Sequence, residues 1–568
     1  MSGQIRQSGT VELYSGHPNF TLNEIPTVAS QGKMATFVVR GDLSKIEADA
    51  YLLPSDSFGH VTDTWNWLIG PHRKIIRENT AVLSRESAIL VGGGSDKEPL
   101  MLVADVGGES QENSSIELGE RFKSALKVFL HCTQENQDLR KRPWTSKRAR
   151  PLLAMPIIGI DGGGLEGQTG DVLEMIIETL QQFGSELDTD KVGFDVVIVC
   201  RTDSDYAALQ SIRKRRLGAP EPLVKALAEH ARDKNLSVMF GAGASMPLGL
   251  PSWTHLIREI AAIFGAHEEQ IQALQRLNTI DAATILIELA AYPDQFHQEI
   301  QLLVSTEKCS LTHALIASID PKVAITTNYD RGYEIAVEAA TGVEPVVLPW
   351  DRNFARNGNY LLKLHGDIER GQIVLSRDDF AAVHVLRRPL IGIMQEKLLT
   401  GHVLMIGSTV SDPTLVQSAE EVGSLLSRMT SDSTQPCGTV VLTENDLART
   451  MLLARQFSIV SAAFLDPGTE ISGFEMELEQ ILLAVRRVDI FLDLIAIESA
   501  SNYPFALDEK YSGMLTEKDK DTVALLRSLS SKLHSPQQMP SDSDLTTLVW
   551  EFLKSLGDSD KNDFSSES

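Results

Sequence analysis

The sequence has only four cysteines, Cys132, Cys200, Cys309 and Cys437, and no pair stands at zinc-knuckle spacing. No disulfide framework is implied, and a reducing compartment fits. Basic residues are the minority: 52 Lys and Arg against 77 Asp and Glu give a formal net charge of −25. Such a chain is repelled by nucleic acid and by anionic membranes, so neither is expected as a partner. The one concentrated basic run, "SIRKRR" (211–216), falls at an apparent domain junction and reads best as a solvated linker. No apolar run reaches the length of a membrane span. The start, "MSGQIRQSGT", has no signal-peptide hydrophobic region. A soluble cytoplasmic protein is expected.

What is present is ordinary globular composition, 42% hydrophobic and 23% charged over 568 residues. That length allows more than one core. A polar segment, 1–33, comes first. From 34 onward, apolar runs alternate with helical spacing: "MATFVVRGD", "AYLLPSD", "SAILVGGG", "PLMLVADV", "ELGERFKSALKVFLHCT", "RPLLAMPIIGIDGGG", "GDVLEMIIETLQQF" and "FDVVIVCRTD". Strands alternating with helices predict an α/β layer fold over 34–213. "KRRLGAPEP" (214–222) carries charge, glycine and two prolines and predicts a linker. A second α/β unit then spans 223–472. A helical region is expected over 473–556 and a disordered acidic tail over 557–568.

In the second unit, polar groups gather at strand ends. "VMFGAGASMPLGLP" runs from a strand into Gly241-Ala242-Gly243 and Ser245, with a helix predicted near Trp253. Glycines there would let backbone N–H groups approach a pyrophosphate. The third glycine of the common dinucleotide fingerprint is missing, since Met246 stands in its place. "AITTNYD" puts Thr327, Asn328 and Asp330 at a strand end. "YLLKLHGD" does so for His365, "MIGSTVSDP" for Gly407, Ser408, Thr409 and Asp412, and "VLTEND" for Thr443 and Glu444. The C-terminal edge of a parallel sheet is where such folds bind ligands.

Taken together, these motifs resemble the sirtuin (silent information regulator) fold over roughly 220–470, and specifically its bacterial NAD-consuming defence branch. "TTNYD" followed by "KLHGD" carries most of the likeness, and "VLSRDDF" (374–380) is a further similar stretch without an assignable role. Protein-deacylating sirtuins carry a four-cysteine zinc module after the His-Gly pair. Here no cysteine follows His365 until Cys437, so no metal is expected, and an acyl-lysine groove is argued against. The resemblance implies an NAD+ hydrolase that cleaves the nicotinamide–ribose bond and depletes NAD as an antiviral effector. Asn328, Asp330 and His365 would be catalytic, with His365 as general base. Gly241, Ala242, Gly243, Ser245, Thr327, Gly407, Ser408, Thr409, Asp412, Thr443 and Glu444 would bind NAD. The other readings are a protein deacylase or ADP-ribosyltransferase on the same fold, or a non-catalytic nucleotide-binding regulator.

The first unit resembles macrodomains, which bind ADP-ribose. "VVRGDLSKIEADAYLLPSD" matches their opening strand–turn–strand, and "LLAMPIIGIDGGGLEG" their phosphate-holding glycine loop. The resemblance implies Asp42 as the adenine-contacting carboxylate, with Gly162, Gly163 and Gly164 near phosphate. It implies either an ADP-ribose-like ligand or a scaffold. The expected architecture is therefore α/β: a macrodomain-like three-layer domain, a Rossmann-like sirtuin-type parallel sheet and a helical C-terminal extension. Restraint of a potentially lethal enzyme would involve homo-oligomerisation, a trigger or a partner protein.

Overall fold

The computed structural model describes residues 20–21, 34–92, 98–107, 115–135, 147–160, 165–187, 193–289, 293–351, 359–371, 373–408, 413–429, 436–443, 447–462, 474–500, 511 and 514. The expected site residues Gly162, Gly163, Gly164, Thr409, Asp412 and Glu444 lie outside them, as do most of 1–33 and nearly all of the chain after 500.

The strands are β1 (Phe20–Thr21), β2 (Thr36–Arg40), β3 (Ala50–Ser55), β4 (Ala88–Gly92), β5 (Leu100–Asp105), β6 (Leu152–Met155), β7 (Asp195–Cys200), β8 (Leu236–Phe240), β9 (Val323–Thr326), β10 (Val346–Leu348), β11 (Tyr360–Lys363), β12 (His402–Ile406), β13 (Gly438–Leu442) and β14 (Phe457–Ser461). They form two sheets. The six-stranded sheet runs β2-β7-β6-β3-β5-β4 and is parallel except for the antiparallel β4–β5 pair. The eight-stranded sheet runs β1-β14-β13-β12-β8-β9-β11-β10 and is parallel throughout. The α/β expectation holds for both units. Two short strands escape the sequence reading. Phe20–Thr21, inside the polar first segment, pairs with β14 at one sheet edge. Val346–Leu348 pairs with β11 at the other.

Strand periodicity explains how the layers meet. In the six-stranded sheet, Val38, Leu52, Leu102, Leu153 and Val196 face a core closed by helices Ser115–Glu135, Thr169–Glu186 and Asp203–Arg216. Their neighbours Phe37, Val39, Tyr51, Leu53, Val197 and Val199 face the opposite way, because successive side chains alternate. That second face is covered by residues from elsewhere in the chain: Leu311, Ala314 and Leu315 of helix Leu311–Ile319, and Val488, Leu492 and Ile495 of helix Phe474–Ser499. The same cluster holds Val238, Phe240, Ala324, Leu361 and Leu404 of the eight-stranded sheet. The two sheets thus share one helical layer. Helix Phe474–Ser499, expected as an appendage, is buried between them.

This helix carries charge into the shared layer. Its Arg486 donates to Asp195 at 2.8 and 2.9 Å, its Asp489 pairs with Arg148 and accepts from Thr312 Oγ1 at 2.6 Å, and its Asp493 accepts from Arg213 at 2.9 Å. Burial opposes the Asp195 charge, but Arg486 and Arg148 outweigh it and hold that carboxyl below its ordinary pKa. The basic run reads differently from the sequence expectation. Residues 211–216 end helix Asp203–Arg216, and Lys214, Arg215 and Arg216 pair with Glu498, Glu174 and Glu178.

A helical subdomain, of which the sequence anticipates only the helix near Trp253, lies within 253–289 and 293–304. Helices Trp253–Ile263, Glu268–Gln275, Thr279–Leu289 and Pro293–Val304 pack around Leu256, Ile260, Ala283, Phe296 and Ile300.

Candidate active site

The order β13-β12-β8-β9-β11 brings to one edge the five strand ends singled out in the sequence. The chain fills one side of β8 with β9, β10 and β11 and then crosses to β12 on the other. The β8–β12 boundary is therefore the crevice where an open α/β sheet binds ligand.

At that boundary the glycines answer to each other. Gly243 N donates to Gly407 O at 2.9 Å and Gly241 N to Ile406 O at 3.2 Å. A Cβ on Gly243 would meet Gly407 Cα at 2.7 Å, and one on Gly241 would meet Gly407 O at 2.8 Å. Gly407 itself has φ +57°, a left-handed conformation that glycine adopts at low cost. The "GAG" run therefore lets two loops touch. Its Gly241 and Gly243 N–H groups are spent inside the protein rather than turned toward a phosphate. Nor does β8 run straight into a helix. Two short 3-10 turns, Ala242–Ala244 and Met246–Leu248, intervene before Ser252 caps Trp253–Ile263.

Ser245, expected to touch substrate, is 3% exposed. Its hydroxyl donates to Asp330 Oδ2 at 2.8 Å and accepts from Asn328 Nδ2 at 3.0 Å. Asn328 Nδ2 also donates to Gly241 O at 3.0 Å, while Asn328 N donates to Thr326 Oγ1 at 3.0 Å. Both amide hydrogens of Asn328 are committed, so its remaining capacity is as an acceptor through Oδ1. Asp330 Oδ1 accepts from Gly332 N at 2.8 Å. Asp330, expected among the catalytic residues, thus reaches Asn328 through Ser245.

Lys363, in the same "KLHGD" run as His365, was not singled out in the sequence. It is fully buried, and its ammonium reaches four oxygens: Asp330 O at 2.7 Å, Tyr329 O at 3.2 Å, Asp367 Oδ2 at 2.8 Å and Glu334 Oε1 at 2.9 Å. One lysine therefore ties the Asn328–Asp330 loop to the His365–Asp367 loop. Burial works against its charge, but Glu334 and Asp367 outweigh that and hold its pKa above the ordinary lysine value. Burial pushes the Glu334 carboxyl up. Burial also opposes the Asp367 charge, yet Lys363 and the Arg370 and Glu369 N–H groups hold Asp367 down. The signal available in the sequence was the Lys–Asp pair four residues apart around the His-Gly.

His365 is 4% exposed and lies edge-on to Phe380, with ring centroids 5.1 Å apart. Beneath the site, Ser310 donates to Ala244 O at 2.7 Å and forms a reciprocal cap with His313 on helix Leu311–Ile319. His313 is buried; burial pushes its imidazole down to about 4, with Asp330 opposing the shift and Lys363 adding to it. A Cβ on Gly332 would meet this ring at 2.5 Å, so only glycine fits there. Ala242, Thr327, Ser408 and Thr443 are half-buried at the same sheet edge.

With this geometry in hand, comparison with known proteins places part of the chain. Residues 322–460 match the SIR2-like domain. That SIR2-like span contains Asn328, His365 and Ser408, and begins after the Gly241–Ser245 loop. The chain is 26% identical over 208 residues to NAD(+) hydrolase ThsA of Bacillus cereus, covering 34% of this chain and 41% of that one. It is 25% identical over 213 residues to NAD(+) hydrolase ThsA of Enterococcus faecium, covering 35% and 42%. It is 25% identical over 200 residues to Defense-associated sirtuin 2 of Bacillus subtilis, covering 33% and 19%. The likeness therefore spans about two fifths of the ThsA proteins' length. Similar solved structures include the Oceanobacillus iheyensis macrodomain with MES bound, at 16% identity and TM-score 0.24, covering 31% of this chain and 89% of that one. The macrodomain of Thermus aquaticus DarG is similar at 15% identity and TM-score 0.21, covering 29% and 98%.

Proposed function

We propose that this protein hydrolyses NAD+ at the nicotinamide–ribose bond and serves as a defence effector that depletes NAD. The observation that carries the reading is Asn328. Its amide is locked by Gly241 O and Ser245 at the crevice, leaving Oδ1 to accept from a ribose hydroxyl or an attacking water. In this reading the C1′–N bond breaks and nicotinamide leaves with the bonding electrons. A water oxygen then bonds to C1′ as His365 takes its proton, giving ADP-ribose. Oxocarbenium character at C1′ suits a site whose nearby ammonium, Lys363, is balanced by carboxylates. The relatives named NAD(+) hydrolase support the same reading.

Ala242, Thr327, Ser408 and Thr443 would line the NAD cleft; the expected residues Thr409, Asp412 and Glu444 lie outside the described residues. No metal is assigned a role. Among the described residues no group of three or more His, Cys, Asp or Glu side chains could hold one, and chelation is expected to leave turnover unchanged. A cytoplasmic, homo-oligomeric working form belongs to the reading. Among the described residues no helix is long and apolar enough to cross a membrane.

The first unit would control the second, through an ADP-ribose-like ligand or through docking. Asp42, the expected adenine contact, accepts from Ser44 N at 2.9 Å and pairs with Arg201 at 3.6 Å. Just beyond it, Lys45 O accepts from Cys309 N at 2.7 Å and Glu47 N donates to Cys309 O at 2.9 Å. Cys309 precedes Ser310, which holds Ala244 O. A shift of the Asp42 turn therefore has a short covalent and hydrogen-bonded route to the Gly241–Ser245 loop.

The deciding experiment incubates the full chain with NAD+, alone and with ADP-ribose, and follows free nicotinamide. His365→Ala and Asn328→Ala are each expected to cost about two to four orders of magnitude in rate. Near-wild-type turnover in both variants would overturn the assignment.

A further inference from the structure

The "VLSRDDF" stretch has no part in the chemistry above, yet it packs directly on His365. Val374 N donates to His365 O at 2.7 Å, and Tyr329 OH donates to Val374 O at 2.5 Å. Residues 373–375 are thereby laced to both site loops. Asp379 Oδ2 then accepts from Leu375 N at 3.1 Å, Ser376 N at 2.8 Å and Ser376 Oγ at 2.8 Å, turning the chain into helix Arg377–Leu386. Arg377 pairs with Asp281, and its backbone N–H donates to Thr284 Oγ1 at 3.0 Å. These bonds pin the helix start to the helical subdomain. Ser376, Arg377 and Asp379 are thus spent on the turn and its docking. Phe380 is half-buried, and its ring meets the His365 imidazole edge-on at 78°.

We propose that Phe380 is a positioning residue for His365, fixing the imidazole plane so that one ring nitrogen faces the reacting water. This rests on the NAD-cleaving reading of His365. The physical need is specific: the outer torsion of a histidine is broad, so the backbone alone does not fix the plane of the imidazole. An aromatic ring held edge-to-face removes that freedom. Asp379, Arg377 and the Val374 bonds hold Phe380 in place.

The test compares Phe380→Leu and Phe380→Tyr in the full chain, measuring kcat and KM for NAD+, the melting temperature and the imidazole signals of ¹⁵N-labelled His365, assigned with His365→Gln. A positioning role predicts that Phe380→Leu lowers kcat by about tenfold to a hundredfold. Its KM stays within about threefold and its melting temperature is unchanged, while the His365 signals shift or broaden. Phe380→Tyr keeps the ring and should recover most of kcat. Unchanged kcat in Phe380→Leu overturns the proposal. So does a kcat loss that follows the folded fraction, or a raised KM at constant kcat, which would make Phe380 a substrate contact. If the wild-type protein releases no nicotinamide, the NAD-cleaving reading fails by itself. The His365 signals then still decide: unchanged signals in Phe380→Leu overturn the ring contact as the device that orients the imidazole.

Discussion

Ser245 donates its hydroxyl to Asp330 Oδ2 at 2.8 Å, and this bond determines what Asn328 offers to a ligand. With its proton given to Asp330, Ser245 Oγ can only accept, and it accepts from Asn328 Nδ2. The buried carboxylate thus sets the direction of the whole relay, and Asn328 is left presenting Oδ1.

Ser245→Ala should therefore keep the fold but free the Asn328 amide to turn. We expect kcat for nicotinamide release to fall about tenfold to a hundredfold, the scale of a misplaced catalytic group. Wild-type turnover in Ser245→Ala would show that Gly241 O alone orients Asn328.

Lys363→Met should unfold more easily, because it leaves the buried Glu334 and Asp367 without their cation. Breaking a buried pair on one side costs about 3–5 kcal/mol. The triple variant Lys363→Met, Glu334→Gln, Asp367→Asn should recover much of that loss. Urea unfolding of the two variants side by side is the measurement, and equal stabilities would refute the argument.

Stability should drop on mild acidification. A histidine in an unfolded chain titrates near 6.5, whereas buried His313 titrates at about 4. Between these values the unfolded state binds a proton that the native state does not, so stability is lost as pH falls through that window. The full effect for His313 is about 3 kcal/mol. His402, lowered to about 4 by burial and then by the stacked His230, acts in the same direction. Thermal melts at pH 7 and pH 5 should differ in the wild type and differ less in His313→Gln. An unchanged difference would exclude His313 as a contributor.

Removing residues 1–213 should not yield an independently folded protein. The deletion uncovers the apolar faces of helices Leu311–Ile319 and Phe474–Ser499, and strips Arg148, Asp195 and Arg213 from Asp489, Arg486 and Asp493. Three charges that the native layer pairs would lose their partners. Circular dichroism and size-exclusion chromatography of the truncated chain provide the check. A monodisperse product that melts like the full chain would show the layers to be separable.

The alternating apolar runs determined most strands of both sheets, because strand periodicity and turn residues are local properties that a linear reading detects. The same runs placed Asn328, His365 and Gly407 at strand ends, where a parallel sheet binds its ligands. What each residue does there depended on packing. Gly241 and Gly243 read as phosphate ligands until the β8–β12 adjacency put Gly407 against them. The bond between Ser245 and Asp330 comes from the strand order, which makes neighbours of two residues 85 positions apart. Lys363 and Phe380 have no assignable role in the linear sequence, since the contacts of a strand lysine or a helical aromatic are not local. They gain it from a partner distant in sequence or folded back upon them. Helix Phe474–Ser499 looked like an appendage because the faces that bury it belong to two other parts of the chain. Local pattern selects the elements, but only the meeting of distant segments removes water, pairs the buried charges and gives a side chain its role.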